Sequence, residues 1–172
     1  APPPAAALAY GDDSHQRLDV WRAEADEPAP LVMFVHGGGW RYGSKNNAAS
    51  RWLPTHLPQR GYVYANIDYR LVPAATVEQQ AEDVAHALRA LLDRSTSLGI
   101  DRKKVVLMGH SAGAHLVALV GTDERYLRSA GLSFADVAGV VPIDGAAYEV
   151  PSQIRDAGRR ARRMYTDAFG SN

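Results

Sequence analysis

A mostly parallel β-sheet with helices on both faces is the α/β fold this chain predicts, and three observations predict it. Strand-like apolar runs alternate with helix-spaced ones along the chain. Two of those runs, Leu31–Val35 and Val105–Met108, are apolar at every position, as strands covered on both faces are. Each of the two opens directly into a glycine-bearing turn, where a parallel sheet hands its chain to a helix.

In chain order, residues 1–10 read as a disordered or extended N-terminal segment. Leu18 and Val20, interleaved with Asp19 and flanked by Arg22, predict a short two-faced strand before the polar turn Glu24 to Pro30. Leu31-Val32-Met33-Phe34-Val35 is the second strand and Tyr62 to Ile67 the third. Val77, Ala81, Val84, Ala85, Leu88, Leu91 and Leu92 recur at helical spacing, which predicts a helix over Val77 to Arg94. Val105 to Met108 is the fourth strand, Ser111 to Val120 a buried helix, and Val137 to Ile143 a fifth strand that reaches Asp144. No internal repeat is visible, and residues 1–172 read as a single domain.

Composition narrows the function classes. The chain has 172 residues, enough for one domain with a real core, and 46% hydrophobic against 22% charged residues suits a soluble globular protein. Lys+Arg and Asp+Glu both count 19, so no net field steers the chain toward nucleic acid or an anionic membrane. The arginines at 155, 159, 160, 162 and 163 lack interleaved aromatics and read as a solvated helix face. No apolar run is long enough to span a bilayer. The absence of cysteine removes disulfides, thiolate metal sites and cysteine nucleophiles. The start at Ala1-Pro2-Pro3-Pro4 is read as the trimmed end of an exported protein in preference to an arbitrary boundary.

Chemistry concentrates in two loops. Gly109-His110-Ser111-Ala112-Gly113 sits between an apolar strand and an apolar helix. Glycines on both flanks let the chain turn sharply, so Ser111 stands exposed while the helix N-terminus aims free N–H groups at whatever it attacks. A serine that merely capped the helix would not need both glycines. Gly37-Gly38-Gly39, following the second strand, lets backbone amides approach a substrate oxygen closely. Gly38, Gly39 and Ala112 are the predicted oxyanion donors, each worth about 3 kcal/mol to a transition state.

His36-Gly37-Gly38-Gly39-Trp40, Asp68-Tyr69-Arg70-Leu71 and Gly109-His110-Ser111-Ala112-Gly113, in that order, resemble the α/β-hydrolase esterases. Within them the chain is most similar to the hormone-sensitive-lipase-like branch of carboxylesterases, feruloyl esterases and kynurenine formamidases. The likeness runs from about Tyr10 onward. It implies Ser111 as nucleophile, Gly38, Gly39 and Ala112 as oxyanion donors, His36 as a brace for the glycine loop, and no metal or organic cofactor. Trp40 is left open between pocket wall and structural support.

In that fold the triad runs Ser, then Asp or Glu, then His along the chain. His115 is the only histidine after Ser111, and it falls one turn along the elbow helix, where packing under the sheet suits it better than reaching the hydroxyl. His110 neighbours the serine and should point to the opposite face; His15, His56 and His86 fall in surface-like segments. Asp144 ends the fifth strand, where catalytic groups gather, but reads better as a pocket or structural Asp. Asp123 and Glu124 look like turn residues closing the elbow helix. The resemblance implies further strands after Phe169-Gly170-Ser171-Asn172 and therefore an incomplete hydrolase domain with a bare apolar sheet edge. The expectation is that a second polypeptide, separately made or the cleaved C-terminal fragment, completes the sheet and brings the acid and the histidine. A small-molecule ester is the expected substrate; an amidase or formamidase with the same parts, or a non-catalytic binding module, is the alternative.

Overall fold

The computed structural model describes residues 1–170; Ser171 and Asn172 lie outside them. Six strands form one sheet: β1 (Ala6–Ala9), β2 (Arg17–Trp21), β3 (Ala29–Val35), β4 (Val63–Ile67), β5 (Ile100–His110) and β6 (Gly139–Ile143). Their spatial order is β1-β2-β4-β3-β5-β6. β1 and β2 are antiparallel to their neighbours, and β4, β3, β5 and β6 run parallel. The helices are α1 (Leu53–Gln59), α2 (Val77–Leu92), α3 (Ser95–Leu98), α4 (Ala112–Thr122), α5 (Glu124–Ser129), α6 (Val150–Asp156) and α7 (Arg159–Phe169).

The uninterrupted apolar character of β3 follows from its position. Leu31, Met33 and Val35 enter the main core, while Val32 and Phe34 point the other way and join Trp21 and Tyr64 in a second core. α2 and α4 lie on the first face; Leu53 and Leu57 of α1 cover the second. Each fully buried Leu, Val or Phe contributes roughly 1.5–3 kcal/mol by leaving water, so the central strands anchor the domain. α2 begins in a capping box: Gln79 N–H donates to Thr76 Oγ1 at 3.2 Å, and Thr76 N–H donates to Gln79 Oε1 at 2.9 Å. From there Ala81, Val84, Ala85, Leu88, Leu91 and Leu92 form one buried stripe.

Several boundaries differ from the sequence expectation. The N-terminal segment supplies a strand, β1, whose Ala6 and Leu8 pair with Val20 and Leu18. β5 runs eleven residues rather than the four of its apolar part, because Asp101 to Lys104 extend the strand into solvent. α1 was not foreseen, and it contains Pro54 and Pro58, residues that mask a helical pattern. Asp123 ends α4 as expected and also caps α5, accepting from Arg125 N–H at 3.1 Å; Glu124 belongs to that next helix. The arginine-rich stretch is broken at Ala157–Gly158 into two helices. All five arginines are exposed, yet the opposite side of α7 is not a free surface: Tyr165 is buried, and Ala161, Ala168 and Phe169 pack on the core.

Parallel registry sets the site. Val35 pairs with Gly109 and His110 with Ile143, so the carboxyl ends of β3, β5 and β6 finish side by side. Ligands collect at such ends in open α/β sheets. Along β6 no further strand pairs among the described residues, and Val141 and Ile143 stay 39% and 41% exposed.

Candidate active site

Ser111 joins β5 to α4 with φ 54° and ψ −118°, a backbone conformation that side chains other than glycine rarely adopt. The strain, of order 1–3 kcal/mol, persists only because surrounding structure imposes it. Two glycines do so through space rather than through φ. A Cβ at Gly109 would fall on the Gly113 carbonyl, and one at Gly113 would fall on the carbonyls of Val35 and His36. Ser111 N–H donates to the Ile143 carbonyl at 2.9 Å, and its own carbonyl accepts from His115 N–H at 3.1 Å. The hydroxyl of Ser111, half-buried, makes no hydrogen bond to another described residue.

Four non-glycine residues have positive φ among the described residues: Trp40, Ser111, Asp144 and Ala147. All four lie in the loops that leave β3, β5 and β6 at the same end of the sheet. Such clustering marks a place where backbone geometry is held for function.

The glycine loop lies against the elbow. A Cβ on Gly37 would sit 3.0 Å from Ser111 Cβ and 2.8 Å from the His110 carbonyl, so the loop can approach only without one. Gly38 and Gly39 then turn with φ 129° and 59°. The Gly38 carbonyl is taken by Tyr42 N–H at 2.9 Å and Arg41 N–H at 3.2 Å. The amides of Gly38, Gly39 and Ala112 donate to no other described residue.

The loop is held from beneath. His36 is buried, its ring stacked on Tyr69 with centroids 4.3 Å apart, and its Nδ1 lies 2.7 Å from the Gly37 carbonyl. Burial lowers the His36 pKa, with that carbonyl contact opposing, and because a carbonyl can only accept, Nδ1–H is the donor. Tyr69 Oη donates to the His36 carbonyl at 2.8 Å. Trp40, open between two roles in the sequence, is 1% exposed and serves as support. Its carbonyl accepts from Val72 N–H at 3.0 Å and Gln80 Nε2 at 2.8 Å. The Asp68-Tyr69-Arg70 segment completes the scaffold: Lys45 N–H donates to Asp68 Oδ1 at 2.7 Å, and Arg70 forms a two-pronged pair with fully buried Asp83.

No histidine ring hydrogen-bonds to the Ser111 hydroxyl among the described residues. His115 packs edge-on against Trp40 and Phe169, at 5.4 and 5.2 Å, and burial drives its pKa down to about 4. His110 is half-buried, its Nδ1 3.3 Å from the point a Gly37 Cβ would occupy. His15 and His56 are exposed and His86 half-buried. Asp144 is exposed at the end of β6, and its carboxylate bonds to no described residue. No group of three or more His, Cys, Asp or Glu able to hold a metal occurs among the described residues, and no helix there is long and apolar enough to cross a membrane.

The sheet order, the strained serine between strand and helix, and the glycine loop set against it define an α/β-hydrolase fold. Residues 18–148 match the BD-FAE family, and the chain belongs to it. Among curated relatives it is 39% identical over 122 residues to esterase LipC of Mycobacterium tuberculosis, covering 68% of this chain and 30% of that protein. It is 37% identical over 114 residues to kynurenine formamidase of Drosophila melanogaster, 66% of this chain and 36% of that one. Esterase B of Lactobacillus rhamnosis superposes with a TM-score of 0.70 at 25% identity, covering 97% of this chain and 58% of that structure. The chain thus spans about a third of the length of these curated relatives.

Proposed function

We propose that this chain carries the nucleophile and the oxyanion site of a serine hydrolase that cleaves carboxylic esters. The observation that supports it most is Ser111 at φ 54°, with an unbonded hydroxyl and three uncommitted amides in the two loops that meet there. In this reading Ser111 Oγ attacks the ester carbonyl as a base takes its proton, and the carbonyl oxygen becomes an oxyanion bound by Gly38, Gly39 and Ala112 N–H. Collapse expels the alcohol, which receives the proton, and leaves an acyl-enzyme; water then releases the acid by the same steps.

In this reading the base and acid come from polypeptide outside these residues. The exposed apolar edge of β6 supports that part of the reading, since Val141 and Ile143 form a surface an adjoining strand would cover. Whether that polypeptide is a separate chain or a continuation is readable from the mass of the purified assembly.

In the assembled protein, Ser111→Ala is expected to lower turnover of 4-nitrophenyl acetate by about 10⁴-fold or more, with loss of fluorophosphonate labelling. Full activity or undiminished labelling in that variant would refute the assignment, and a folded protein inert to the probe would favour a binding module. The 37% identity to a kynurenine formamidase supports amide-type formyl transfer to water as the second reading. Relative kcat/KM on aryl formamides and aryl esters separates the two.

A further inference from the structure

A cleft of about 740 Å³ opens between the glycine loop and α7, with Gly38 and Gly39 at one wall. The helix contributes Arg160, Arg163, Met164 and Asp167, positions spaced three or four apart that share one face. Ala161 also lines the cleft, while Tyr165, Ala168 and Phe169 are packed on the core, so this face is fixed in its direction. Met164 closes on the loop: a Cβ at Gly39 would lie 2.7 Å from its Sδ. The cleft therefore begins at the two glycines whose amides the proposed function assigns to the oxyanion.

Its charge is one-sided. Arg41 also lines it and meets Asp167 at 3.4 Å, an exposed and loose pair. Arg160 and Arg163 form no salt bridge and no side-chain hydrogen bond among the described residues, although other arginines of the chain do: Arg70, Arg89, Arg125 and Arg128 are each paired. Three guanidinium groups against one carboxylate leave a positive wall around a cavity whose lining is otherwise partly apolar. The chain as a whole is neutral, so this local excess is not a reflection of its composition.

Resting on the hydrolase reading above, we infer that this cleft selects esters bearing a free carboxylate a few bonds from the scissile carbonyl. A guanidinium presents two parallel N–H donors that match the two oxygens of a carboxylate, which a lysine or a neutral wall cannot do. Arg160 and Arg163 would hold that group while Met164 covers the intervening methylenes. Both arginines are exposed, so their side chains reach the cleft without a buried unpaired charge.

The test compares mono-4-nitrophenyl glutarate, which keeps a free carboxylate, with its methyl-capped counterpart, on the assembled protein. The free acid is expected to have about tenfold higher kcat/KM. Arg160→Gln/Arg163→Gln should bring the ratio of the two esters close to one, and added salt should erode it in the parent protein. A ratio near one in the parent, or a ratio that the double variant leaves unchanged, overturns the inference. Should neither ester turn over, the same pair is titrated onto the Ser111→Ala protein by NMR. Tighter binding of the free acid, lost in the arginine variant, upholds the cleft's preference and counts only against the hydrolase reading; equal binding of both esters overturns the preference.

Discussion

Met33 and Val35 of β3 are fully buried, whereas Val141 and Ile143 of β6, two positions across the sheet, keep 39% and 41% of their surface in contact with solvent. Both strands are apolar and both run parallel to β5. The difference lies in their neighbours: β3 has a hydrogen-bonded strand on each edge and helices over each face, whereas β6 has one such edge and only its Val140 face packs on the core. The same residue types are therefore core in one strand and rim in the other. Position in the sheet, not hydrophobicity, decides what a valine contributes.

The most damaging test of that contrast is at the centre. Gly113→Ala places a methyl on the carbonyls of Val35 and His36, atoms with no rotamer to escape into. A loss of about 3 kcal/mol or more is expected in urea unfolding; a loss below 1 kcal/mol on that scale would mean that β3 and α4 can part easily.

A second test titrates the packed side. His115 has its pKa lowered from 6.5 to about 4 by burial, so the unfolded chain binds a proton more readily than the folded one across that interval. Its contribution is fully present above pH 6.5 and is lost as pH falls toward 4, by roughly 3 kcal/mol in all. His115→Gln should flatten this part of the stability profile relative to the parent; parallel profiles would show that the ring is solvated.

The gentlest test exchanges one methyl for a hydroxyl in both places. Val35→Thr buries an unpartnered hydroxyl and is expected to cost about 2 kcal/mol, while Val141→Thr should stay within about 0.5 kcal/mol. Equal costs would reveal that the rim is covered in solution.

The parts of the fold legible in the sequence were those whose pattern is imposed locally. β3 and the apolar half of β5 announce themselves because two-faced burial demands an unbroken apolar run. α2 does so because its stripe is long and its cap is Thr76 with Gln79. β1 carries no such pattern: Ala-Ala-Leu-Ala becomes a strand only by pairing with Leu18 and Val20. The break at Gly158 and the seating of Tyr165 and Phe169 were hidden behind the arginines, whose exposure describes one side of α7 and conceals the other. Around the candidate site, Gly37, Gly109 and Gly113 were legible because crowding admits no side chain there. The supporting shell was less so. Gln80 lies 40 residues from the Trp40 carbonyl it meets, and no local spacing connects them.

That contact has a further meaning. The Trp40 carbonyl accepts two donors at once, one from Val72 N–H and one from the Gln80 side chain of α2. The bend carrying Gly38 and Gly39 is thereby moored to α2 at a single oxygen. Loosening that mooring, by a change as quiet as Gln80→Leu, would let the bend drift while every residue that faces substrate stayed the same.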